Sequence, residues 1–238
     1  IIIGNIKLLR DQLRLLKYKI ELKEINDISH SDFNKINIIN IDFKYKKIFT
    51  KISSKSNEYI ENSFKKSLKI ILQKPKNFIL INGPISKKHF LKKKYLGLTE
   101  YLSKKTKSKN EVMLIYNDKI SVVPITTHIP LKKVVNKITK EEICKKISEI
   151  NSFYKNILKK KVKIAILGLN PHCETTDIFS EEERIINPAI KRLKKKGISV
   201  DGPFSADTFF LEKNIKKFDV IVGMYHDQVL TPAKTLFK

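Results

Sequence analysis

Three of the five histidines occupy the same kind of position in the sequence, just beyond a short apolar run that predicts a buried strand. The runs and the histidines that follow them are residues 120–125 with His128, 162–169 with His172, and 219–224 with His226. In an open α/β sheet, ligands collect at the carboxyl ends of the strands, so three imidazoles at three such ends can converge on one ion. The alternative is that each histidine is an ordinary loop residue. Their shared position favours a three-histidine metal site.

Two aspartates lie close to these histidines in the sequence or in a neighbouring motif. Asp227 directly follows His226, and Asp207 belongs to the turn-rich stretch 202–208. A carboxylate near a cation orients a ligating imidazole or accepts a proton from a bound hydroxyl group. For Asp207 the alternative is a helix-capping role. Asp207 and Asp227 are therefore the candidate catalytic residues.

Two further residues are candidates for contacting an anionic substrate. Thr99 lies in the segment 97–100, which predicts the start of a helix, where free backbone amides and a hydroxyl group suit an anion. Lys234 follows His226 by eight residues and carries a compact positive charge. The alternatives are a simple threonine cap and one more solvated lysine in a lysine-rich chain.

The formal net charge of +25 raises the hypothesis of a nucleic-acid-binding protein. The lysines, however, are spread over almost the whole chain, and arginine, the main reader of bases, is scarce. The four arginines are Arg10, Arg14, Arg184 and Arg192. Solvated lysine faces explain the charge better, and a positive surface also attracts an anionic small molecule. We therefore predict no nucleic-acid partner.

The remaining composition excludes several other classes. No run approaches about 18 consecutive apolar residues, which argues against a membrane span. The two cysteines, Cys144 and Cys173, form neither a zinc-type pair nor a disulfide framework, and this favours the reducing cytoplasm. The chain contains neither GxGxxG nor GxxxxGK[ST], so any nucleotide is bound without these two motifs.

Strand-like and helical patterns alternate along the chain, which predicts an α/β fold with a mixed, largely parallel sheet flanked by helices. We expect residues 1–238 to form one catalytic unit of two lobes that share a sheet, with no boundary visible in the sequence. The predicted elements include helices over 6–18 and 57–73, a buried strand over 78–81 and a β-hairpin over 111–125. Two further helices are predicted to begin at the capping boxes 139–142 and 180–183, and Pro188 should kink the helix that begins at 180–183.

Four motifs, in this order and spacing, closely resemble those of the 4-hydroxythreonine-4-phosphate dehydrogenase family of vitamin B6 biosynthesis. They are Thr-Thr-His-Ile-Pro-Leu at 126–131, Gly-Leu-Asn-Pro-His at 168–172, Gly-Pro-Phe-Ser-Ala-Asp-Thr at 202–208 and Met-Tyr-His-Asp-Gln at 224–228. The segments 82–87 and 97–100 add weaker support. The resemblance extends from the first residues to the last.

The resemblance implies a fold like that of the isocitrate and isopropylmalate dehydrogenases, and a cytoplasmic homodimer with its active site at the subunit interface. It implies that His128, His172 and His226 bind a divalent cation, which is zinc, cobalt, manganese or magnesium, and that Thr99 and Lys234 contact the substrate. The family oxidises 4-phosphooxy-L-threonine with NAD or NADP, and the resulting β-keto acid loses carbon dioxide to give 3-amino-2-oxopropyl phosphate. This reaction belongs to pyridoxal phosphate biosynthesis.

The sequence departs from the family pattern at three places. Leu98 stands where the family commonly has histidine, residues 173–176 replace a small, glycine-containing stretch, and Val229 stands where glycine is common. Loss of the histidine keeps an alternative substrate open, which is threonate or erythronate 4-phosphate or a cyclic diol. The family's opening glycine-rich segment and its C-terminal portion are absent, so we expect a fragment that lacks both ends and has little activity by itself.

Overall fold

The chain divides into two compact units, residues 1–106 and 107–238. The structure, a computed structural model, describes residues 1–75, 77–92, 94–108, 110–173 and 180–236. Each unit contains parallel strands with helices packed around them, so the predicted α/β class is confirmed. The arrangement of the units as two lobes sharing a sheet stays a prediction.

The first unit contains a three-stranded parallel sheet in the order β1-β3-β2. Its elements are β1 (Ile2–Gly4), α1 (Ile6–Leu15), β2 (Leu22–Glu24), β3 (Ile36–Asn40), α2 (Asn57–Gln73) and α3 (Leu98–Thr106). Asn5 begins α1 because its side chain accepts a hydrogen bond from the Leu8 amide. The same side chain donates to the carbonyl of Ile41, just beyond β3, and so joins the helix start to the end of the central strand.

A buried apolar cluster in this unit packs α2 against α3. Phe64 of α2 and Tyr101 of α3 are buried, as is Leu91 of the turn at Lys87–Leu91, and the Phe64 and Tyr101 rings meet edge to face with centroids 5.5 Å apart. The predicted helix over 57–73 and the predicted helix start near Thr99 are both confirmed. This packing holds the segment that carries Leu98 and Thr99.

The predicted buried strand over 78–81 is wrong. These residues form no regular element, and the side chains of Ile79 and Ile81 are 73% and 88% exposed. A short apolar run becomes a strand only when a neighbouring strand accepts its backbone hydrogen bonds. Within the described residues of the first unit, the sheet consists of β1, β3 and β2 alone.

The second unit is built around a four-stranded parallel sheet in the order β4-β7-β5-β6. Its elements are β4 (Ser121–Thr126), α4 (Lys140–Asn156), β5 (Ile164–Leu167), α5 (Asn187–Lys195), β6 (Val200–Phe204), α6 (Ala206–Phe209), α7 (Glu212–Ile215), β7 (Val220–Tyr225) and α8 (His226–Leu236). Alternate residues of each strand point to opposite faces, and both faces are covered. Helices α4 and α5 pack on one face, and α8 and Phe209 pack on the other.

The helix signals of the sequence operate here as predicted. Thr139 accepts a hydrogen bond from the Glu142 amide at the start of α4, and Gly197 ends α5 with a positive φ of 74°. The segment that begins at Ser180 is more complex than one kinked helix. It forms a π-helical turn over Glu182–Ile186 that continues directly into α5, and Pro188 lies in the first turn of α5.

The β-hairpin prediction holds only at its centre. Ile115 and Val122 exchange two backbone hydrogen bonds of 3.0 Å in an antiparallel bridge, whereas 111–114 form no strand. Strand β6 was not predicted from the sequence because the turn-forming pair Gly202-Pro203 lies inside it.

Among the described helices, none has both the length and the apolar character that crossing a membrane requires.

Candidate active site

The three histidines follow three neighbouring strands of the second sheet. His128 lies beyond β4, His226 begins α8 directly after β7, and His172 lies beyond β5. Because β4, β7 and β5 are adjacent and parallel, their carboxyl ends meet at one edge of the sheet. The structure therefore confirms the predicted placement of the histidines at a common edge, which we call the histidine edge.

Two of the imidazoles face each other across this edge. The ring centroids of His128 and His226 are 5.8 Å apart, with an angle of 40° between the ring planes. Nδ1 of His226 lies 2.7 Å from a carboxylate oxygen of Asp227. When Nδ1 donates its proton to that oxygen, Nε2 carries the lone pair that a metal requires. Asp227 thus has the position of a group that orients His226.

His172 faces Asp207 on the other side of β5. Nδ1 of His172 is 3.4 Å from Oδ2 of Asp207, and both side chains are more than half exposed. A hydrogen bond from the Ser205 hydroxyl is the main cause that lowers the pKa of the Asp207 carboxyl below its usual value, and the nearby His172 lowers this pKa further. Ser205, and not Asp207, is the N-cap residue of α6. Asp207 is therefore not the N-cap residue of this helix, and it lies beside a histidine.

The donor types fit a divalent cation, since neutral imidazole nitrogens bind zinc, cobalt and manganese well. A distance of 5.8 Å between two rings is compatible with a shared ion, which lies about 2 Å from each ligating nitrogen. Within the ranges that the structure describes, no three histidine, cysteine, aspartate or glutamate side chains form a group that could hold a metal ion. The structure brings together two of the predicted ligands, and places the third at the same edge.

The two predicted substrate contacts lie in different units. Thr99 is the second residue of α3 in the first unit, and Lys234 lies in the last turn of α8 in the second. Both side chains are exposed. Beside Thr99 is a cavity of about 290 Å³, which Leu98 and Lys87 line together with the loop 82–85. Leu98 is an apolar lining residue of this cavity.

Side chains that the sequence analysis did not single out connect the three strand ends. The Thr126 hydroxyl donates to the Met224 carbonyl (2.8 Å), which joins β4 to β7. Gln228 accepts from the Met224 amide (2.7 Å) and donates to the Gly168 carbonyl (2.7 Å), which joins β7 to the end of β5. The sequence signal for Gln228 is its place in the motif 224–228, two residues after His226.

A buried carboxylate holds the loop that leads to His172. Glu182 accepts hydrogen bonds from the backbone amides of Leu169 and Asn170, and from the Asn170 side chain. Gly168 is required beside it, because a Cβ at this position would overlap the Cys173 sulfur and crowd the Glu182 carboxylate. The Ser-Glu-Glu-Glu sequence at 180–183 predicted a helix start but gave no sign of this contact.

Comparison with known proteins identifies the family. The family model for the pyridoxal phosphate biosynthetic protein PdxA matches residues 1–238. The chain belongs to the PdxA family. This confirms the resemblance that the four motifs predicted.

Individual PdxA-family relatives carry two different substrate names. The chain is 41% identical over 220 residues to a 4-hydroxythreonine-4-phosphate dehydrogenase of Sulfurihydrogenibium sp., an alignment that covers 91% of this chain and 66% of that protein. It is 36% identical over 143 residues to a D-threonate 4-phosphate dehydrogenase of Pectobacterium atrosepticum, covering 60% of this chain and 44% of that protein. The chain therefore matches less than two thirds of the length of either relative.

The fold agrees with a solved structure of the same family. A 4-hydroxythreonine-4-phosphate dehydrogenase from Klebsiella pneumoniae superimposes with a TM-score of 0.78 at 27% identity, covering 99% of this chain and 74% of that one. The family's dehydrogenase-like α/β fold is thus the fold of this chain.

Proposed function

We propose that this protein is a metal- and nicotinamide-dependent dehydrogenase that oxidises 4-phosphooxy-L-threonine in pyridoxal phosphate biosynthesis. The observation that supports it best is the histidine edge, where His128, His226 and His172 follow three adjacent parallel strands. Membership of the PdxA family and the named relatives support the same reaction.

In this proposal His128, His172 and His226 hold the divalent cation. When bound, the cation supplies Lewis-acid stabilisation of the negative charge that develops on substrate oxygens during oxidation and decarboxylation. Asp227 orients His226 through the 2.7 Å contact with Nδ1. His172 would hold the same ion from the end of β5, and a second subunit would complete the site in the proposed homodimer.

Asp207 is the proposed proton acceptor. A bound NAD or NADP would accept the C3 hydrogen of the substrate as hydride, and the hydroxyl proton would leave to a base. Asp207 lies on the histidine edge with its carboxylate exposed, so it can reach a bound hydroxyl group. The β-keto acid that results then loses carbon dioxide to give 3-amino-2-oxopropyl phosphate.

Thr99 and Lys234 are the proposed contacts for the substrate's anionic groups. A threonine hydroxyl and free amides at the start of α3 suit a phosphate, and a lysine adds a positive charge. The high positive charge of the chain would also draw a phosphorylated substrate towards it. We place the enzyme in the cytoplasm, the reducing compartment that its low cysteine content favours.

The test combines activity with metal content in the intact protein. We expect His226→Ala to lower bound zinc or cobalt, measured by mass spectrometry of the dialysed protein, and to abolish coenzyme reduction with 4-phosphooxy-L-threonine. The control is His30→Ala, which removes an exposed histidine in the first unit. Unchanged metal content and turnover in the His226 variant would refute the assigned site. Asp207→Asn should lower turnover while metal content is retained.

D-threonate 4-phosphate is the second candidate substrate. A relative with 36% identity carries that name, and Leu98 stands where the family resemblance leads us to expect histidine. The two substrates differ at C2, where threonate has a hydroxyl group in place of the ammonium group. Values of kcat/KM for both compounds decide between them, and a large preference for threonate 4-phosphate would replace our first assignment.

A further inference from the structure

The segment that follows β5 has an unusual backbone at its end. His172 and Cys173 both have φ near +57°, a left-handed conformation that non-glycine residues rarely adopt. Such a conformation is strained and persists only where the surrounding structure fixes it. Two in succession, one of them a proposed metal ligand, require a strong local constraint.

Glu182 provides this constraint from inside the protein. Its Oε1 accepts hydrogen bonds from the amides of Leu169 (2.7 Å) and Asn170 (2.9 Å), and its Oε2 accepts one from the Asn170 side chain (2.7 Å). The residue is only 1% exposed. Two successive backbone amides are therefore held by one carboxylate, two to three residues before His172.

The charge on Glu182 strengthens this hold. Burial raises the pKa of the Glu182 carboxyl, but the hydrogen bonds from Asn170 and Leu169 outweigh burial and keep the pKa below its usual value. The group is thus ionised at neutral pH, and hydrogen bonds to an ionised acceptor are about twice as strong as neutral ones. From the other side, Gln228 fixes the Gly168 carbonyl of the same loop.

We propose that Glu182 is a positioning residue that directs His172 towards the metal. This inference rests on the proposed function, since it assumes that His172 is a ligand. Glu182 does not touch the ion; it fixes the loop backbone, and the loop fixes the direction of the imidazole. Loss of a group that orients a ligand lowers metal affinity by about 10–100-fold.

The test uses Co²⁺ as the probe, titrated into the metal-free intact protein without substrate or coenzyme. Visible absorption of the bound cobalt reports both affinity and coordination. Glu182→Gln keeps the shape but presents an amide to the loop donors, so we expect about 10–100-fold weaker binding and a changed spectrum. Glu183→Gln is the matched control, because Glu183 is its exposed neighbour and the change in charge is the same.

A double-mutant cycle separates positioning from general damage. If Glu182 acts through His172, then Glu182→Gln lowers cobalt affinity in the wild-type background but not in a His172→Ala background. An equal loss in both backgrounds, or no loss relative to Glu183→Gln, would overturn the proposal. Should Glu182→Gln fail to fold, Asn170→Ala, which removes one of the three hydrogen bonds, enters the same cycle with the same criterion. Absence of cobalt binding by the wild-type protein would instead contradict the proposed function.

Discussion

Replacing Gln228 by methionine removes the two hydrogen bonds that join β7 to the end of β5. Methionine keeps the length and nearly the helix propensity of glutamine, so packing and helix formation change little. The change leaves the Met224 amide and the Gly168 carbonyl without their partner, and both groups lie in buried residues. An unsatisfied buried polar group costs about 1–3 kcal/mol. Because Gln228 itself is half-buried and water can replace part of the loss, we expect about 2–4 kcal/mol for the pair.

Urea denaturation followed by circular dichroism measures the change in the free energy of unfolding. Hydrogen exchange then locates it, since the Met224 amide should exchange faster in the variant. Gln73→Met, an exposed position at the end of α2, is the matched control and should change stability by less than about 0.5 kcal/mol. If Gln228→Met were as stable as this control and the Met224 amide stayed protected, the connection between the strand ends would have no energetic importance.

Three further changes test the packing and the electrostatics. Ile147→Ala should lower the free energy of unfolding by about 2–5 kcal/mol, because the Ile147 side chain is fully buried between α4 and the sheet. The control Ile157→Ala, at a half-exposed position, should lower it by less than about 1 kcal/mol. If urea denaturation gave similar losses of stability for the two variants, the assigned core would be contradicted. Thr139→Ala should cost about 1 kcal/mol through loss of the cap of α4, and unchanged helix protection in hydrogen exchange would exclude that role. Lys105 lowers the pKa of the Glu61 carboxyl, so this pair stabilises the protein above the ordinary carboxyl pKa and loses its effect as pH falls through the lowered value. We therefore expect Glu61→Gln to cost less than about 1 kcal/mol at neutral pH and low salt, with the difference from wild type vanishing in acid; a difference that grows with acidity would contradict the sign.

Local signals in the sequence were sufficient for much of the second unit. The apolar runs before His128, His172 and His226 predicted β4, β5 and β7, and the capping box at Thr139 predicted α4. These signals act over a few residues, and helix caps and buried parallel strands have recognisable patterns. The common edge followed from one topological rule about parallel sheets.

The failures came where the structure depends on distant partners. Residues 78–81 have the composition of a strand but no neighbour to pair with among the described strands. Strand β6 was hidden because its Gly202-Pro203 pair resembles a turn, yet Gly202 is needed there since a Cβ would overlap the Ile166 carbonyl. Without β6, the approach of Asp207 to His172 could not be foreseen.

The buried polar contacts were equally out of reach of a linear pattern. Glu182 meets the loop before His172 across a gap of more than ten residues, and Gln228 meets Gly168 across sixty. Composition and periodicity carry no information on which amide a given side chain will find. Such contacts emerge only when the strand ends are placed side by side.

The order of strands in the second sheet has a consequence for biosynthesis. β7 lies between β4 and β5 and is the last of the four to leave the ribosome, about a hundred residues after β4. Until it inserts, its two neighbours expose unpaired backbone edges to the crowded cell, a state in which nascent proteins aggregate readily or recruit chaperones. The sheet of the second unit is therefore complete only after β7 has been translated.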